Sequence, residues 1–181
     1  GLFKESVEEL TGKFEERPLH LAAKEGNAAG VETLLLAKAD IEATTKHGST
    51  ALHNAAVKGH LNVTECLLAR GANMDAKEKT GCTPLHKACQ YGHMPVIESL
   101  LGQGANKQAK NMDGWSPLHI SVQHGHVHIV EFLLGKGANK EAVDNYGQKP
   151  RDIVTSGGHA PDVEAKLAEL LTESLGGAVT V

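Results

Sequence analysis

The chain has 181 residues, 40% hydrophobic and 22% charged, with a formal net charge of -4. That balance argues against a general nucleic-acid binder, which carries a basic stripe to neutralise phosphates, and no apolar run approaches the ~20 residues of a membrane-spanning helix. With 3% aromatic residues there are few large side chains to fill one deep core, whereas Leu, Val and Ala suffice for thin layers between stacked units.

Three cysteines, Cys66, Cys82 and Cys89, form no C-x-x-C pair and leave an odd count. This suits a reducing compartment better than a disulfide framework, so an intracellular, cytoplasmic setting is expected. The chain opens on Gly1 with no signal peptide, which fits a processed chain or a piece of a longer protein.

In residues 1–13 and just beyond, Phe3, Val7, Leu10 and Phe14 recur at helical spacing. A helix capping the open end of a stack is expected there, with disorder as the alternative. The next stretch, 14–46, contains Pro18-Leu19-His20 and Gly26. It is a degenerate copy of the regular units beyond residue 46, with Arg17, Asn27 and Lys38 departing from their pattern.

The regular units are 47–79, 80–112 and 113–145. Thr50-Ala51-Leu52-His53, Thr83-Pro84-Leu85-His86 and Ser116-Pro117-Leu118-His119 stand 33 residues apart, a period that marks a stacked repeat architecture. Each unit reads as two short helices. Thr50, Thr83 or Ser116 caps the first helix, and Pro84 and Pro117 occupy its first position, where no amide hydrogen is needed. Gly59, Gly92 and Gly125 end that helix, and the second begins at once. All six prolines fall at such starts: Pro18, Pro84, Pro117 and Pro150 in first helices, Pro95 and Pro161 in second helices.

The last unit, 146–175, keeps Pro150, Gly158 and His159 but has Asp152 in place of His. Its second helix, about 161–174, carries Val163, Leu167, Leu170, Leu171 and Leu175 on one face and reads as an amphipathic closing helix. A flexible tail is expected at 176–181.

The pattern G-x-T-P-L-H-x-A-x-x-x-G-H followed by L-L-x-x-G-A-N resembles the ankyrin repeat. The resemblance covers about 14–175 and implies an all-α solenoid of about five helix-turn-helix units joined by β-hairpin-like fingers. It also implies a protein-binding scaffold without catalysis, whose concave face, built from finger tips and first helices, holds a protein partner. A monomer without cofactor or metal, inserting in no membrane and binding no nucleic acid, is expected. The alternative is an ankyrin segment of a larger enzyme, channel or effector that positions or regulates another domain.

His20, His53, His86 and His119 share one repeat position, and so stand about 8–10 Å apart if helix packing sets the step. Zinc needs ring nitrogens at about 2.0–2.1 Å, so the row does not share a metal. The resemblance implies a structural role for it, bonding cap hydroxyls and loop backbone, and the same holds for His60, His93, His126 and His159. His124, His126 and His128 straddle Gly125 more closely, and a transition metal there is an alternative. The family often carries a hydroxylated asparagine where Glu42, Asp75, Gln108 and Glu141 stand here, so that modification is not expected. No nucleophile with a base, carboxylate pair or phosphate loop emerges. Cys66 and Cys89 are expected to face the core, and Cys82 to be exposed in a finger. Val179-Thr180-Val181 matches a carboxylate-groove ligand only as well as chance does.

The only Trp and both Tyr fall at positions that vary between repeats: Tyr91 at the end of a first helix, Trp115 and Tyr146 in fingers. Such residues are enriched at binding hot spots. With Met112, Gln123 and His124 they are expected to form a contact patch on repeats three to five, the alternative being that each ring packs over a neighbouring finger and stiffens it. Asp113, Gln90, Cys82, Lys79, Lys58 and His47 occupy the equivalent variable positions and complete the candidate surface. Residues 47–112 carry seven basic and four acidic side chains. Lys46, Lys58 and Lys79 would then favour an acidic partner if they border the groove rather than a solvated face.

Overall fold

A computed structural model describes residues 16–172. The first helices are α1 (Pro18–Lys24), α3 (Ala51–Lys58), α5 (Pro84–Tyr91) and α7 (Pro117–Gln123). The second helices are α2 (Ala28–Leu36), α4 (Leu61–Ala69), α6 (Met94–Gly102) and α8 (Val127–Gly135). A 3-10 helix, Pro150–Gly157, takes the place of a fifth first helix, and α9 (Pro161–Thr172) closes the stack. The capping helix expected over 1–13, the tail 176–181 and Leu175 lie outside the described residues.

First helices pack side by side along one row, second helices along another, and each unit's pair packs together. First helices have 7 or 8 residues, whereas α2, α4, α6 and α8 have 9, and the first-helix row is the more tightly apposed. Between layers lie fully buried Leu52, Leu67, Leu85, Leu100, Leu118 and Leu133, together with the smaller Ala55, Ala88 and Cys89. Small and branched side chains thus fill the core without aromatic rings.

The fingers contain no strand among the described residues; they are turns joined tip to tip. Lys79 N–H donates to the His47 carbonyl at 2.9 Å, Met112 N–H to Thr80 at 3.0 Å and Asn145 N–H to Asp113 at 3.0 Å. Single bonds at this spacing make a ladder of tips rather than paired strands. The opposite edge has its own ladder. Glu42 accepts the Asn73 N–H at 2.7 Å, Asp75 that of Asn106 at 2.9 Å and Gln108 that of Asn139 at 3.3 Å. The side chains of Glu42, Asp75 and Gln108 are therefore occupied in tying repeats together.

Gly26, Gly59, Gly92 and Gly125 end the first helices with φ between +68° and +78°. A second constraint acts on them. The imidazole of the following repeat (His60, His93, His126 or His159) lies 2.5–3.1 Å from where a Cβ would stand. Gly71, by contrast, has φ +85° but nothing within 4 Å of that point. Left-handed backbone costs a non-glycine residue about 1–2 kcal/mol. Gly71→Ala is expected to lose about that much, and Gly59→Ala measurably more because the His93 ring must shift. Urea denaturation checks this: the excess should vanish in a His93→Ala background, as a double-mutant cycle isolates the ring's part.

Candidate partner-binding face

The repeat histidines position the face. Each ring accepts its own helix cap's N–H at Nδ1: Thr50 to His53 at 3.2 Å, Thr83 to His86 at 3.1 Å and Ser116 to His119 at 3.2 Å. A nitrogen that accepts an N–H carries no proton, so the proton sits on Nε2. From there the ring donates to a carbonyl of the next finger. His53 reaches Cys82 at 3.0 Å, His86 reaches Trp115 at 3.0 Å and His119 reaches Gln148 at 3.3 Å. His20, in the degenerate first unit, reaches Ala43 at 2.9 Å instead. The cap hydroxyls of Thr50, Thr83 and Ser116 lie 2.9 Å from Nδ1 and donate to it.

The second row works at the other end of the first helices. His60, His93, His126 and His159 donate from Nε2 to the carbonyls of Lys24, Val57, Gln90 and Val122, at 3.0, 3.0, 3.1 and 3.1 Å. Both rows thus act as structural links between repeats. His126 is committed in this way, and His124 lies stacked on it with ring centroids 6.1 Å apart. No three His, Cys, Asp or Glu among the described residues are arranged to hold a metal ion.

One finger position opens each turn: Thr45, Glu78, Asn111 and Asp144. Thr45, Asn111 and Asp144 accept backbone N–H groups two and four residues on. Glu78 departs from this: it accepts from Ser49 Oγ at 2.8 Å and Thr80 Oγ1 at 2.7 Å, and pairs with Lys87 at 2.5 Å. Burial pushes its carboxyl up, but the bonds from Lys87, Thr80 and Ser49 outweigh that and hold it below the usual range. In the sequence this pair leaves one trace, the mismatch of Glu78 with Thr45, Asn111 and Asp144 in the 33-residue register.

The position just before the helix cap lies between fingers. Ser49 donates to Glu78, Asn111 Nδ2 donates to Cys82 Sγ at 3.8 Å, and Trp115 Nε1 donates to Asp144 Oδ2 at 3.0 Å. Cys82 is only 7% exposed, which corrects the expectation of an exposed finger cysteine: the next finger covers it. Trp115 is half-buried against the core, its indole 6.5 Å from the His119 ring. Burial raises the Asp144 carboxyl, but the Gln148, Tyr146 and Trp115 donors overcome this and hold it low.

Of the other thiols, Cys89 is fully buried, which pushes it up to about 12. Cys66, expected in the core, is only half-buried, its Sγ 3.7 Å from Glu32 Oε2. Its place on α4 turns it partly toward the neighbouring α2, which carries Glu32.

The remaining candidates divide by exposure. Tyr91, Met112 and Tyr146 are 51%, 69% and 81% exposed, and they stand at a first-helix end and two finger tips. His47, Lys58, Lys79, Asp113 and His124 are exposed beside them in the repeat register; Gln90 and Gln123 are half-buried. Gln123 also accepts from Ser156 Oγ at 2.9 Å. A shallow depression lined by Gly92, Met94, Gly125, His126, Val127 and His128 sits at the turns between helices, formed by none of these candidates.

A family model for ankyrin repeats (3 copies) matches residues 19–111, 67–144 and 95–169. The chain belongs to the ankyrin-repeat family. No curated protein matches it. Ankyrin repeats are in general protein–protein interaction modules, and the family is typically non-enzymatic. Among the described residues, no helix of this ankyrin-repeat chain is long and apolar enough to cross a membrane.

Burial lowers the imidazoles of His20, His53, His86 and His119, that of His86 from 6.5 to about 4. A proton on Nδ1 would remove the acceptor of the cap N–H. The unfolded chain therefore binds more protons than the folded one between these values, and stability falls as pH falls. The loss begins near pH 6.5 and is complete for His86 below about 4, amounting to about 3 kcal/mol from this residue. Urea midpoints at pH 7 and pH 4.5 check it. His86→Asn is expected to be less stable at pH 7 and to show a shallower slope over this window.

Proposed function

We propose that this chain is a monomeric, non-enzymatic module that holds a protein partner on the face made by its fingers and first helices, centred on repeats three to five. The observation that carries the reading is the exposure of Tyr91, Met112 and Tyr146. They are large apolar side chains at positions the repeat pattern leaves free. Covering such a side chain contributes about 1.5–3 kcal/mol, and Tyr does so at low cost in rotamer entropy.

The supports beneath these side chains favour the same reading. The Tyr146 finger is held by the Asn145 N–H to Asp113 and by Asn145 Nδ2, which donates to the Met112 carbonyl at 2.7 Å. Trp115 stands beneath it, bonded to Asp144. A platform fixed in this way loses little entropy on binding. Trp115 thus acts partly as a support, so its replacement would lower stability as well as affinity. Three free cysteines agree with an intracellular setting.

Capture from a lysate of the source organism, comparing the unaltered chain with Tyr91→Ala/Tyr146→Ala, tests the proposal. At least one retained protein is expected to drop about tenfold, while the melting temperature of the variant stays within a few degrees. Equal retention by both chains would overturn the placement of the face.

A further inference from the structure

We infer that the partner presents an extended peptide segment in which an acidic run stands about six residues from an aromatic or large aliphatic side chain. This rests on the reading that the finger and first-helix face binds protein, and adds the chemistry of what it binds.

Two rows of positions run along that face. The finger-tip row carries Lys46, Lys79, Met112 and Asn145, and the helix-end row carries Glu25, Lys58, Tyr91 and His124. The tip-to-tip hydrogen bonds make the first row continuous. Both rows change character at the same place. Lys46, Lys58 and Lys79 come first, and the exposed Tyr91, Met112 and Tyr146 come after them.

The cations at the first end are not matched by acids. Lys87 is matched by Glu78 and Lys24 by Glu16 at 3.5 Å, but Lys46, Lys58 and Lys79 form no ion pair among the described residues. Three uncompensated cations on one stretch of a chain with net charge -4 are the complement of an acidic ligand. Exposed acids bound the stretch on either side, Glu25 toward the first repeat and Asp113 at the fourth finger. They repel an acidic run that slides in either direction, and so fix its register.

The fold sets the spacing. Neighbouring repeats are about 8–10 Å apart, and an extended chain advances about 3.3 Å per residue. Each repeat therefore spans about three peptide residues, and the two repeat steps from Lys46 to Met112, or from Lys79 to the Asn145–Tyr146 finger, span about six. The resulting ligand is an extended segment with its two kinds of anchor at opposite ends.

Selection from a random peptide library against the purified chain tests this, followed by fluorescence anisotropy of the selected peptides. The expected peptides share an acidic cluster about five to seven residues from an aromatic or aliphatic anchor. Their affinity should fall about tenfold or more with Lys46→Glu/Lys58→Glu/Lys79→Glu, and separately with Tyr91→Ala/Tyr146→Ala. Raising salt from about 0.05 M to about 0.5 M should weaken them at least several-fold. Peptides lost in the tyrosine variant but indifferent to the lysine reversal would overturn the acidic partner while leaving the face in place. Peptides indifferent to both sets would remove the face as well. The inference is also overturned if selection yields no binder, or if a short single-stranded oligonucleotide binds as tightly and is lost in the same lysine variant. Melting curves of both variants within a few degrees of the unaltered chain exclude misfolding as the cause.

Discussion

The neutral imidazole of His53, His86 and His119 ties one repeat to the next. One ring nitrogen accepts the N–H of the helix cap, and the other donates to a carbonyl of the following finger. Few side chains offer an acceptor and a donor on opposite edges of a rigid ring, and protonation destroys the arrangement by removing the acceptor. The terminal repeat carries the first function alone. Asp152 still accepts the Lys149 N–H at 2.8 Å, but it has no N–H to send onward, and a 3-10 helix stands in place of an α-helix.

Because the links run only between neighbours, the molecule is held together layer by layer. The glycine at the end of each first helix serves the same purpose from the other side, leaving room for the ring of the following repeat. Every buried side-chain nitrogen or oxygen among the described residues has a partner. Side chains at cap and turn positions are thereby committed to stacking, whereas Tyr91, Met112 and Tyr146, at a first-helix end and two finger tips, stay exposed. Glu78 marks where this division blurs. It gives up the turn bonds made by Thr45, Asn111 and Asp144, and instead neutralises Lys87. That exchange takes the charge of Lys87 out of play, whereas Lys46, Lys58 and Lys79 form no ion pair among the described residues.

A rigid surface of this kind suits recognition. The side chains that project from it are few, and each stands on a backbone fixed by its neighbours. Tyr146 and Trp115 illustrate two parts of the same device. One ring is presented to solvent at a finger tip, and the other is half-buried below it, anchoring the finger through Asp144.

The repeat register, the helix caps, the prolines at helix starts and the glycine breaks were all legible in the amino-acid sequence, because each is a local choice repeated at a 33-residue interval. The free positions were legible too, as those at which the repeats disagree. What could not be read there was how far each free side chain stands from the next finger. Cys82 and Trp115 share a position with Ser49, and in all three the side chain meets a residue 29 places further on. Burial of Cys82, the support given by Trp115 and the pairing of Glu78 with Lys87 arise only when two repeats come together. The sequence by itself determined the architecture and the set of variable positions, since these depend on capping, backbone freedom and periodicity within a repeat. Only the tertiary structure decided which of those positions face solvent, because exposure depends on contacts between repeats that no single repeat encodes.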